Sequence, residues 1–167
     1  MNILILEDEK LVINKIKNKI KKIFSLNKNK IIINLVYLKL KRNKNWYIIW
    51  SNKIKLKWFD FILIDRDNEF WENFHNIFFD LLNKNIKNKF VKNYNDIIKL
   101  SNSLYLISGS HKNNLYFIEQ YIKFLIKYWF IKNFEQQKYI ESILNKNIYT
   151  KSIWYKFNEL LNLIKNY

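Results

Sequence analysis

A single glycine, Gly109, and no proline in 167 residues leave nearly every turn of this chain to asparagine and aspartate. These two tolerate left-handed backbone better than other side chains do, at a higher cost than glycine. The shortage runs through the whole composition. Alanine and cysteine are absent, arginine occurs only as Arg42 and Arg66, and lysine, asparagine, isoleucine, leucine, phenylalanine and tyrosine dominate. Residues with AT-rich codons are favoured, the mark of an AT-biased genome. The six tryptophans run against that bias, as expected where UGA is also read as tryptophan. This points to an organelle-encoded protein of the mitochondrial matrix, with a reduced bacterial symbiont as the competing source. Gly109, kept against the bias, marks either a position that excludes a side chain or a chance survivor.

Several classes of function are closed off. Without cysteine there are no disulfides, no thiolate zinc site and no cysteine nucleophile. No apolar run reaches the roughly 18 residues of a membrane-spanning helix. The first residues, an apolar run followed by Glu7, Asp8 and Glu9, are unlike a signal or transit peptide. Hydrophobic residues make up 49% of the chain, enough to build a core.

The net charge of +16 is distributed in tracts. Positions 10 to 59 carry no acid, and between 81 and 118 the only one is Asp96. Tracts of one sign imply a polyanionic partner, nucleic acid or anionic lipid. A solvated lysine surface is the plainer explanation.

Hydrophobic periodicity divides the chain into elements. ILIL (3–6) reads as a strand, and residues 10–24 as an amphipathic helix with Val12, Ile16, Ile20 and Ile23 on one face. Two β-rich runs, 30–41 and 46–50, joined by RNKN, read as a hairpin. Residues 52–60 alternate lysine with Ile54, Leu56 and Trp58 and read as a strand with a basic face. The helical period is clearest over 65–82, where His75 sits near the apolar stripe as a packing residue. Residues 83–96 read as a basic linker or strand, 104–108 as a strand, 120–132 as a longer strand, 134–144 as a helix and 148–157 as a final strand.

From residue 53 onward the expected order is strand, helix, strand, strand, helix, strand. The fold class expected is α+β: a ferredoxin-like split βαβ domain with an antiparallel four-stranded sheet, two helices on one face and a long hairpin. KIKLKWFDFILID (53–65), LYLISGSHKNN (104–114) and EQY (119–121) resemble stretches of the S-ten proteins of the small ribosomal subunit, with His111 and Asn113 in register. Gly109 and Ser110 stand where that family has Ser-Pro. The resemblance divides the chain into a basic extension (1–52), an S-ten-like domain (53–157) and a tail (158–167). It implies a structural constituent of a mitochondrial small ribosomal subunit that supports translation. It further implies a hairpin binding rRNA in the subunit head beside neighbouring proteins. Gly109, Ser110, His111, Lys112, Asn113 and Asn114 would form the hairpin tip, Lys123 and Lys127 one arm, and Lys53, Lys55 and Lys57 a phosphate-facing row. An ordinary hydrated turn and an exposed lysine face are the alternatives. The extension's helix suits RNA or an anionic membrane surface equally.

A second resemblance is to response-regulator receiver domains. It rests on ILILEDE at the start, FDFILIDRD (59–67), LISGS (106–110) and FIKNF (130–134). It implies that Asp8 helps to bind Mg²⁺, Asp65 accepts a phosphoryl group, Ser108 is the switch hydroxyl and Lys132 pairs with the phosphoryl oxygens. The spacings between Asp8, Asp65 and Ser108 exceed the usual ones. Apart from this, the acids Asp65, Asp67, Glu69 and Glu72 read as first-turn helix residues. No enzyme activity, cofactor, metal site or small-molecule substrate is expected from the residues alone.

Overall fold

The computed structural model describes residues 1–7, 10–25, 34–37, 54–65, 74–107, 111–149 and 154–166. Four strands form one sheet: β1 (Asn2–Leu6), β2 (Asn34–Tyr37), β3 (Phe61–Ile64) and β4 (Leu104–Leu106). Six helices are described: α1 (Lys10–Ser25), α2 (Phe74–Lys87), α3 (Tyr94–Ser103), α4 (His111–Lys127), α5 (Phe134–Lys146) and α6 (Trp154–Asn166). A 3₁₀ turn, Leu56–Trp58, leads into β3.

All pairings are parallel, in the order β2-β1-β3-β4. Leu106 also makes a parallel bridge to Ile148, so the chain returns beside β4 and extends the order by a fifth position. This is the doubly wound, flavodoxin-like arrangement, with crossovers on both faces of the sheet. It overturns the expected antiparallel ferredoxin-like sheet. β2 pairs parallel with β1, and the segment expected as the second hairpin arm, 46–50, lies outside the described residues.

The strands are apolar on both sides because both sides are covered. Leu4, Leu6, Ile62, Ile64, Leu104 and Leu106 face a core made with α2, α3, α4 and α5. Ile3, Ile5, Phe61, Leu63 and Ile107 face the other way, onto Ile16 and Ile20 of α1 and Leu160 and Ile164 of α6. Burying a side chain of this size contributes about 1.5–3 kcal/mol. β1, which belongs to the segment expected as an extension, is hydrogen-bonded on both sides.

Several expected strands are helical. Residues 120–132, read as the second arm of the hairpin, continue α4 to Lys127 and then turn. Phe117, Ile118, Tyr121, Ile122 and Leu125 recur at three- and four-residue intervals and are all buried, the signature of a helix face. Phe79 of α2 stacks between Phe117 and Phe124 of α4, with both ring pairs at 5.5 Å. Of the basic strand expected at 52–60, the described residues 54–60 form instead the 3₁₀ turn and its flanks. Of the final strand expected at 148–157, the described residues show a bridge at Ile148 and, from Trp154, α6.

The crossovers contain a duplicated unit. α2 and α4 each end on a left-handed residue, Lys89 (φ 58°) and Trp129 (φ 62°). In each turn the next amide reaches back to the helix, Phe90 to the Asn85 carbonyl and Phe130 to the Leu125 carbonyl, both at 2.9 Å or less. Each is followed by an asparagine N-cap: Asn93 accepts from the Asp96 amide, and Asn133 from the Gln136 amide. The side chains of Asp96 and Gln136 in turn accept from the amides of Lys92 and Lys132. The two units lie side by side, joined by Tyr94 donating to the Gln136 carbonyl and Tyr128 donating to Asn83.

A candidate acidic site at the carboxyl edge of the sheet

In an open parallel sheet, ligands bind beyond the carboxyl ends of the strands, where the chain order reverses. Here that point lies between β1 and β3, because successive crossovers leave β1 in opposite directions. Glu7 immediately follows β1, and Asp65 immediately follows β3. Both are buried, Glu7 1% and Asp65 6% exposed. The Asp65 amide donates to the Leu6 carbonyl at 2.9 Å, which holds the two strand ends together.

Two buried carboxylates at such an edge suit a hard divalent cation. Magnesium is held by one or two carboxylates and completes its shell with water and phosphate oxygen. Glu7 and Asp65 supply that donor chemistry. Among the described residues no cluster of three or more acids and histidines occurs. Asp8, Glu9, Asp67, Glu69 and Glu72 lie outside the described residues, as do Ser108, Gly109 and Ser110.

The other expected site residues are dispersed. Lys132 is in the exposed α4–α5 turn, its amide bonded to the Gln136 side chain, at the end of α4 far from the edge where that helix begins. It therefore cannot be the lysine facing a phosphoryl group at Asp65. The receiver resemblance placed the phosphoryl-pairing lysine in FIKNF (130–134), whereas the chain returns to the sheet at Ile148. The lysine just past that bridge is Lys151, outside the described residues, and the parallel pairing is what singles it out. Glu7 was also missed. Its signal is the apolar run ending directly before it.

Of the residues expected at the tip of an RNA-binding hairpin, His111, Lys112, Asn113 and Asn114 belong to the start of α4 instead. His111 begins the helix, Lys112 is exposed, Asn113 is half-buried and Asn114 is fully buried. The Asn114 carboxamide has no hydrogen-bond partner among the described residues. His75, in the first turn of α2, is buried edge-on against Phe117 at 4.7 Å, a packing position as expected. Lys123 is exposed and pairs with Glu119 one turn earlier, and Lys127 is exposed at the end of α4. Lys53 is outside the described residues. Lys55 lies over the rings of Trp58 and Phe90, and Lys57 is half-exposed in the 3₁₀ turn, so these positions form no alternating strand face.

Among the described residues no helix is long and apolar enough to cross a membrane. Comparison with family models, with curated proteins and with solved structures yields no match.

Proposed function

We propose that this chain is a phosphoacceptor domain of the receiver type, in which Asp65 takes a phosphoryl group. The observation that carries this reading is the burial of Glu7 and Asp65 at adjacent parallel strand ends, at the reversal point of a β2-β1-β3-β4 sheet.

In this reading a carboxylate oxygen of Asp65 attacks the phosphorus of a small phosphoryl donor. The new oxygen–phosphorus bond forms as the bond to the donor's leaving oxygen breaks, and the leaving group departs with the electron pair. Glu7, Asp8 and Asp65 would hold Mg²⁺, which when bound neutralises the phosphoryl oxygens. The Leu6 carbonyl accepts from the Asp65 amide and so fixes the Asp65 backbone at the strand end. Ser108, two residues beyond β4, and Lys151, after the Ile148 bridge, are the hydroxyl and cation assigned to the phosphoryl group. Burial of Asp65 shields the acyl phosphate from bulk water.

The test is incubation with acetyl phosphate, read by intact mass. A phosphoryl adduct that requires Mg²⁺ and is absent from Asp65→Asn supports the reading. An adduct unchanged by that substitution, or none in the folded wild type, refutes it.

Placement in a mitochondrial small ribosomal subunit is the second reading, supported by the +16 charge alone now that the hairpin arm is a helix. Co-migration with that subunit on a sucrose gradient, with release at high salt, would favour it. Recovery only in light fractions would remove it.

A further inference from the structure

The end of the molecule opposite Asp65 has a different chemistry. Asn85 ties the 3₁₀ segment to the last turn of α2: its side chain accepts from the Leu56 amide and donates to the carbonyls of Ile54 and Leu81. The two left-handed turns lie beside one another at this end. Lysines 87, 89 and 92 surround the first, Lys127 and Lys132 flank the second, and all five are exposed. Lys55 and Lys57 adjoin them through the 3₁₀ segment, where Lys55 sits 4.1 Å from the Trp58 ring and 4.6 Å from the Phe90 ring. Residues 83–95 and 123–134 contain no acid. The bordering acids are Asp96, which accepts the Lys92 amide, Glu135 in the first turn of α5, and Asp60, which accepts the Asn2 amide.

Large rings stand among these lysines. Trp129 is 80% exposed and Trp58 55%. Trp129 also occupies left-handed backbone, which disfavours a bulky side chain by about 1–2 kcal/mol. Asparagine, abundant in this chain, would fit the same turn more cheaply, so neither packing nor backbone preference accounts for the tryptophan. Beside the first turn is a groove of about 490 Å³ lined by Phe59, Asp60, Asn95, Lys99, Asn102 and Tyr105, in which the Asp60 carboxylate is held by the Asn2 amide. Its aromatic walls, amide edges and lysine match the flat face, polar rim and phosphate of a nucleotide.

We propose that this pole binds single-stranded nucleic acid, with the lysines of the two turns on phosphates and Trp58, Trp129 and the groove taking unstacked bases. The exposed Trp58, Trp129 and Phe134 are interspersed along the chain with lysines and asparagines, unlike the unbroken apolar face of a helix that enters a lipid surface. Duplex is a poor fit, because its bases are not free to stack on protein rings. The proposal is independent of phosphorylation at Asp65.

The test is fluorescence anisotropy of a labelled oligouridylate with the full chain. Engagement of four phosphates predicts a log–log salt slope of about −3, or roughly 50-fold weaker binding at 200 than at 50 mM salt. Trp129→Ala should weaken binding at least about 5-fold, the lower bound for one stacked base. Asn102→Trp, which fills the groove, should weaken it as well. Lys89→Glu with Lys132→Glu should nearly abolish binding, whereas Lys15→Glu with Lys21→Glu, exposed on α1 across the sheet, should weaken it far less. The proposal is overturned by an absence of binding at low salt, by equal losses in the two charge-reversal pairs, or by duplex or anionic vesicles competing as well as single strands.

Discussion

The main-chain amide of Asp65 donates to the carbonyl of Leu6 at 2.9 Å, so the last rung between β3 and β1 ends on the proposed phosphoacceptor. Glu7 follows Leu6 directly, which brings a second buried acid to the same edge. Mg²⁺ bound there would stabilise the folded chain by mass action, by about 1.4 kcal/mol at ten times its dissociation constant. Thermal unfolding should therefore shift upward with Mg²⁺ in the wild type and much less in Asp65→Asn. Equal shifts in both would place the ion elsewhere.

Asn85 is the polar bolt at the other end. Asn85→Ala leaves the Leu56 amide and the Ile54 carbonyl without their partner in a buried setting. The expected loss is about 2–4 kcal/mol, read from urea unfolding. A loss below a few tenths would mean that water replaces both bonds.

The duplicated turn makes a paired prediction. Asn93→Ala and Asn133→Ala each remove one N-cap bond of the same geometry, to the Asp96 and Gln136 amides. Each should cost about 1 kcal/mol, and the two values should agree closely. Denaturation midpoints measured side by side would show whether the repeats are energetically as well as geometrically alike.

Lys89 holds a left-handed conformation at an exposed position. Lys89→Gly removes the steric penalty while adding some freedom to the unfolded chain, for a net gain of about 0.5–1 kcal/mol. Stability should rise while oligouridylate binding falls. That opposition separates a binding role from a structural one.

Tyr121 is fully buried, its hydroxyl 3.3 Å from that of Ser101. Burial pushes its ionisation well above the ordinary tyrosine value of 10.0, and the Ser101 bond offsets this only in part. The unfolded chain then loses this proton first as pH rises, so it binds fewer protons than the folded chain. Stability therefore falls from about pH 10 upward until the folded-state value is reached. Tyr121→Phe should flatten that alkaline limb. A limb of unchanged steepness would assign it to other groups.

Local pattern was enough for part of the fold. The strand at 3–6, the helix from Lys10, the strand from Leu104 and the helix from Phe134 all follow from periodicity and flanking polar residues. It failed where two periods compete. Residues 120–132 are apolar at so many positions that they read as a strand, although Phe117, Ile118, Tyr121, Ile122 and Leu125 mark one helix face. The lysine alternation over 53–57 mimicked a half-buried strand, but Ile54 and Leu56 are both buried and the chain enters a 3₁₀ turn at Leu56. The acidic edge was partly legible: Asp65 was named from FILID, whereas Glu7 and the lysine after Ile148 were not.

Composition and periodicity by themselves determined that this chain has a core, a strongly basic surface and no cysteine chemistry, and they located its most regular elements. Tertiary structure alone decided the parallel pairing, the β2-β1-β3-β4 order and the placing of Glu7 beside Asp65. The reason is physical. A strand buried on both faces is an apolar run with no period to read, and its partners are chosen by hydrogen bonds and packing between residues far apart in the chain.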